Sequence, residues 1–119
     1  MSTRDLVEID EHLPQYRELL SEGTTRYLLK ARRLTGSCTE QLVYRFPNGY
    51  GAFVVRGPYT FGGPQGLFEL GVIVFEDGAD DWELTYTSGI TDDVVGYLEP
   101  ADVEELLLRI LNLPATPRS

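Results

Sequence analysis

A chain of 119 residues, 42% apolar and 24% charged, is long enough to build one hydrophobic core and too apolar to be disordered throughout. Nineteen acids against ten bases give a net charge of −9, which argues against a DNA or RNA binder and against attachment to an anionic membrane. The single cysteine, Cys38, rules out an intrachain disulfide framework and a cysteine-built zinc site. No apolar run exceeds four residues, and residues 1–5 lead into an acidic stretch rather than a secretory core, so a cytoplasmic protein of one domain is expected.

Residues 1–12 are polar and of mixed charge, anchored by Leu6, Val7 and Ile9. Residues 13–22 read as a short helix with Pro14 in its first turn and Gly23 as its stop. Over residues 24–34 two patterns compete. Tyr27, Leu28, Ala31 and Leu34 have helical spacing behind a Thr24 or Thr25 cap, whereas Tyr27, Leu29 and Ala31 alternate as in a strand. Helix is the preferred reading, so residues 1–40 form an N-terminal helical addition, and Gly36-Ser37 marks a loop.

Residues 41–113 read as a hairpin, sheet and helix unit. Leu42, Tyr44 and Phe46 share one face of a strand over residues 41–46, and a second strand covers 50–56. Asn48-Gly49 between them predicts a type I′ turn with positive φ at both residues. After a glycine–proline loop bearing Tyr59 and Phe61, residues 67–76 form the longest strand. Its Val72-Ile73-Val74-Phe75 run suits a central position buried on both faces. A turn over residues 77–80 leads to a strand at 82–87, with Trp82, Leu84 and Tyr86 on one face, and residues 88–98 connect onward. Val103, Leu106, Leu107, Ile110 and Leu111 then make one apolar stripe on a helix over residues 101–112, begun at Pro100 and ended by Pro114. The expected fold is α+β: three to four antiparallel strands covered by the C-terminal helix, with one or two N-terminal helices.

From Glu76 to Glu105 there are eleven carboxylates and no Lys or Arg: Glu76, Asp77, Asp80, Asp81, Glu83, Asp92, Asp93, Glu99, Asp102, Glu104 and Glu105. Residues 1–40 carry six bases and seven acids, and residues 41–119 carry four and twelve. The acidic run becomes a face of one sign that attracts a basic partner.

Four segments carry a resemblance: Phe46-Pro47-Asn48-Gly49-Tyr50-Gly51-Ala52, Val54-Val55-Arg56, Gly66-Leu67-Phe68-Glu69-Leu70, and residues 90–98, Ile-Thr-Asp-Asp-Val-Val-Gly-Tyr-Leu. Together they resemble a group of small proteins encoded by bacteriophages and prophages. The likeness spans residues 41–113 and is most specific over 90–98. Phe53 departs from it, standing where a small residue is expected, and so does Thr87-Ser88-Gly89. The resemblance implies phage origin and the hairpin-sheet-helix unit, and it implies no catalytic residue.

The residues themselves offer little catalytic equipment. His12, the only histidine, lies in a charged stretch and reads as a solvated surface residue rather than a general base. Cys38 lacks a motif around it and reads as an incidental thiol, although Lys30, Arg32 and Arg33 could stabilise a thiolate. Asp77, Asp80 and Asp81 with Gly78 fail the calcium-loop pattern at Ala79 and read as a solvated turn. Asp92-Asp93 could hold a divalent ion, but capping of a short turn is preferred. Residues 62–66 are glycine-rich without the Lys-Ser/Thr of a phosphate loop. The basic cluster Arg26, Lys30, Arg32 and Arg33 reads as pairing with the protein's own acids. Tyr59 and Phe61, on the glycine–proline loop, are candidates for a contact surface.

The expected function is therefore that of a phage accessory protein, not an enzyme, with no cofactor and no metal. It would bind and inhibit a host nucleic-acid-handling protein with a basic surface: a nuclease, a CRISPR effector or a transcription component. Asp77, Asp80, Asp81, Asp92, Asp93, Glu99, Asp102, Glu104 and Glu105 would stand in for phosphates, alongside Tyr59 and Phe61. One alternative is a small metal- or ligand-binding protein or enzyme, with the Tyr59–Phe61 loop as a pocket edge and Asp92-Asp93 on a metal. Another is a phage structural or assembly component.

Overall fold

Alternating apolar residues pair into one sheet in the computed structural model, which describes residues 8–9, 23–34, 38–75, 82–85, 88–90 and 94–115. Its strands are β1 (Glu8–Ile9), β2 (Leu28–Leu34), β3 (Thr39–Arg45), β4 (Tyr50–Arg56), β5 (Phe68–Phe75), β6 (Trp82–Leu84) and β7 (Val95–Leu98). Helix α1 (Pro100–Leu111) follows, and single 3-10 turns lie at Thr25–Tyr27 and Gly63–Gln65. The spatial order is β1-β2-β3-β4-β5-β6, with β7 also on β5. β1 runs parallel to β2, and every other pair is antiparallel. The class is α+β, as expected, but the sheet is wider than three to four strands.

β5 is central because both its edges and both its faces are used. β4 pairs along one edge, while β6 takes Ile73–Phe75 and β7 takes Phe68–Leu70 on the other. On one face Phe68, Leu70 and Val72 join Leu42, Tyr44, Phe46, Ala52 and Val54 beneath Val103, Leu107 and Ile110 of α1. Those three helix residues are fully buried, each side chain contributing roughly 1.5–3 kcal/mol by leaving water. Leu106 and Leu111 pack at the margin of the same cluster, so the predicted stripe is the covering face. On the opposite face Val43, Ile73 and Phe75 pack with Phe53, Trp82 and Leu84, the Phe53 and Trp82 rings stacked at 6.0 Å.

Helix α1 is tied down at both ends. Pro100 occupies its first position, and the Glu99 backbone N–H donates to Asp102 Oδ2 at 3.0 Å. At the other end Asn48, from the β3–β4 turn, donates its amide to the carbonyls of Ile110 (2.9 Å), Leu113 (3.0 Å) and Leu111 (3.3 Å). Its Oδ1 accepts the Tyr50 backbone N–H at 3.0 Å. A hairpin residue thus serves carbonyls that a helix cannot satisfy itself.

That turn differs from the type I′ expected. Gly49 has φ 90°, but Asn48 is not among the residues with positive φ. Gly49 N–H closes onto Phe46 O at 3.2 Å, and Phe46 N–H donates to Tyr50 O at 2.8 Å. This is a three-residue loop, a type I turn through Pro47 and Asn48 followed by a left-handed Gly49. Pro47 favours the position after Phe46, and Asn48 stays at negative φ with its amide on the helix end.

Residues 24–34 are not the helix preferred above. They form the 3-10 turn and β2, hydrogen-bonded to β3. The ladder slips by one residue between Leu28 and Lys30, so Leu28 and Ala31 fall on the same, helix-covered face although three apart. A β-bulge has reproduced the spacing of a helix. Three further expectations change: residues 95–98 of the expected connection are β7, Glu8–Ile9 are β1, and the strand expected over 82–87 is β6, which ends at Leu84. The helix expected over residues 13–22 lies outside the described residues.

Three charged side chains of β2, β3 and β4, namely Arg33, Glu40 and Arg56, engage one another. Arg56 and Glu40, both largely buried, meet at 3.4 Å, and Arg33 lies 3.9 Å from the other Glu40 oxygen. The Arg56 guanidinium also covers the Phe68 ring at 4.5 Å, and Arg32 Nε donates to Gln41 Oε1 at 3.0 Å. Among the described residues no helix is long and apolar enough to cross a membrane.

Candidate functional site

The segment between β4 and β5 carries two glycine–proline pairs, which make it a run of tight turns rather than a slack loop. Gly57 N–H donates to Thr60 Oγ1 at 3.0 Å, Gly63 N–H to Thr60 O at 3.1 Å, and Leu67 N–H to Gly62 O at 2.9 Å. Arg56 Nη1 donates to Gly66 O at 3.2 Å. Phe61 is fixed through both sides of its backbone: its N–H donates to Glu69 Oε1 at 2.8 Å, and its carbonyl accepts Tyr97 N–H at 3.0 Å. The loop is thereby laid against β7.

Two glycines permit that close approach. A Cβ on Gly96 would fall on Phe61 Cβ, and one on Gly62 would lie 2.8 Å from Tyr97 Cα. Phe68 pairs with Leu98 and Leu70 with Val95, so Gly96 and Tyr97 together oppose Glu69 in a β-bulge. The bulge places Tyr97 at φ 59°, a left-handed conformation that costs a non-glycine residue roughly 1–2 kcal/mol.

The outcome is three exposed aromatic residues, two on this loop and one on the β7 bulge to which the loop is hydrogen-bonded. Tyr59 is 86% exposed, Phe61 57% and Tyr97 62%, while the sheet-face aromatics Tyr44, Phe46, Phe68 and Phe75 are buried. Tyr59 and Phe61 are where the sequence reading places a contact surface. Tyr97 was missed, because its exposure follows from a bulge and a backbone conformation that residue type does not announce.

Carboxylates adjoin these rings. Glu69 holds the Phe61 backbone, and Glu99 lies two residues beyond Tyr97 at the start of α1. Glu99, Asp102 and Glu105 are exposed, and Asp102 also caps the helix start. Glu104 is half-buried and accepts the hydroxyl of buried Thr24 at 3.0 Å, which gives it a tethering role between α1 and the start of β2. Asp77, Asp80, Asp81, Asp92 and Asp93 lie outside the described residues. Between Arg56 and Arg109 the chain has no Lys or Arg, so the charge brought by β5, β6, β7 and the first turns of α1 is acidic throughout.

His12 also lies outside the described residues, and Cys38 is exposed, with φ 54°. Among the described residues no three His, Cys, Asp or Glu side chains gather as a metal site would require. Comparison with protein-family models, with characterised proteins and with solved structures finds no match for this chain.

Proposed function

We propose that this chain is a phage accessory protein that binds a host nucleic-acid-handling protein through an acidic, aromatic-bearing surface and so inhibits it. The observation that carries this reading is contiguity. Exposed Phe61 is hydrogen-bonded through its carbonyl to exposed Tyr97, and Tyr97 leads through Leu98 into the exposed carboxylates at the start of α1, with no Lys or Arg from Phe61 to Glu105 in the sequence. Exposed aromatics on a fixed loop favour protein contact, and unrelieved negative charge selects a basic partner. A groove that tracks phosphates has that chemistry, and the four phage-like segments supply the biological setting. Inhibition of this kind is stoichiometric and needs no catalytic residue.

The test is capture of the partner with the intact protein, followed by association rates over a salt series with nucleic acid as competitor. Charge mimicry requires association to slow steeply with salt, and exposed charges are screened over about 8–10 Å near physiological ionic strength. Changing Asp80, Asp81, Asp92 and Asp93 together to Asn should slow association more than it speeds dissociation. Salt-independent rates, or simultaneous binding of nucleic acid and this protein, would exclude the mechanism.

A further inference from the structure

Resting on that binding function, we propose that the Tyr59–Phe61–Tyr97 patch is the anchor of the interface. Its occupant is an arginine side chain of a basic segment in the partner protein.

The first ground is Tyr97. The bulge needs only the backbone of residue 97, and glycine would adopt φ 59° without penalty. Tyr97 is 62% exposed and lies outside both core clusters, so the use of its side chain lies outside the fold. The second ground is rigidity. Phe61 is bonded through its N–H to Glu69 and through its carbonyl to Tyr97, so its ring stands on a prepared support and little ordering is required on binding.

Charge decides the occupant. Aromatic faces attract cations; Glu69 adds full negative charge at the Phe61 backbone, and Glu99 follows Tyr97 by two residues. A nucleobase would stack on such rings, but its phosphates would meet carboxylates, and Arg56, the base bonded to this loop, is largely buried and already paired with Glu40. A second copy of this chain would bring the same carboxylates, and a net charge of −9, against themselves. Arginine fits better than lysine, because a planar guanidinium can lie on a ring while its edge donates to a carboxylate.

The experiment is a titration of the isotope-labelled, intact protein with an end-blocked tetra-arginine peptide, followed by amide resonances at low and at moderate salt. Shifts are expected at Phe61, Gly62, Gly96 and Tyr97, with tetra-lysine binding more weakly. Phe61→Ala, which keeps the Cβ packed on Gly96, and Tyr97→Gly should each weaken tetra-arginine binding about two- to fivefold, the range for an exposed cation–aromatic contact. Tyr97→Gly should leave the denaturation midpoint unchanged or raise it, which a ring serving only the fold would not do. Shifts confined to residues 99–105, with both variants binding like the parent chain, overturn the anchor and leave charge-driven binding standing. Failure of tetra-arginine to bind at low salt overturns both.

Discussion

Replacing Asn48 by alanine tests whether a single hairpin side chain holds the far end of the helix. The amide nitrogen has two protons for the carbonyls of Ile110, Leu111 and Leu113, and Oδ1 takes the Tyr50 N–H. Alanine removes about three effective hydrogen bonds, each contributing near 1 kcal/mol net. Asn48, Leu111 and Leu113 are half-buried, so water replaces some of them, and the expected loss is about 2–3 kcal/mol. At a urea dependence of about 2 kcal/mol/M, the unfolding midpoint should fall by about 1–1.5 M. Trp82, packed on Phe53 in the sheet, reports one side of the molecule by fluorescence, and circular dichroism reports the helix. Asn48→Asp is the sharper variant: it keeps the acceptor for Tyr50 but turns a carboxylate onto three carbonyls at the negative end of the helix dipole. It should be less stable than the alanine variant at neutral pH. Repulsion raises that carboxyl's folded-state pKa above its unfolded value, so the deficit relative to the parent chain should shrink as acidification protonates it. A stability change for Asn48→Ala within ~0.5 kcal/mol of zero would refute the cap, given that each lost bond is put near 1 kcal/mol.

Leu107→Ala, at a fully buried position between α1 and the sheet, should cost about 2–5 kcal/mol in the same denaturation series. Gly49→Val should cost roughly 1–2 kcal/mol, since a β-branched residue resists φ 90°, and three-bond couplings in the parent chain should place Asn48 at negative φ. Arg56→Met leaves the largely buried Glu40 carboxylate only the longer contact to Arg33, at 3.9 Å, and should cost about 3 kcal/mol, whereas adding Glu40→Leu should restore much of it. Equal losses in the single and double variants would show that the pair does not act as a unit.

The parts of the fold set by periodicity were legible from residues alone. β3, β4, β5 and α1 fall within two residues of expectation at every end, because alternation with period two and a stripe at i, i+3, i+4 and i+7 leave little choice. Departures occurred where one residue was inserted into a ladder. The slip at Leu28–Lys30 gave a strand the spacing of a helix, and the bulge at Gly96-Tyr97 concealed β7 inside an expected connection. Both depend on the register against a partner strand, which the residues of the strand itself do not announce. Asn48 is a similar case: Asn-Gly marked a turn correctly, but its type was decided by Pro47 and by a helix end more than sixty residues away. At the candidate site, loop composition pointed to Tyr59 and Phe61, whereas Tyr97 required the register of β7 on β5 to be known.

The placement of α1 after every strand it covers has a consequence during synthesis. Leu42, Val54, Leu70 and Val72 are all in place once Phe75 has been made, yet their cover ends at Leu111, thirty-six residues later. At about 5–20 residues per second, that leaves an apolar sheet face without its lid for roughly two to seven seconds. All eleven carboxylates from Glu76 to Glu105 are translated in that interval. Each unfinished copy therefore gains negative charge while it is stickiest, and charge of one sign opposes its joining another. The same run that would greet a basic partner in the finished protein keeps nascent chains apart.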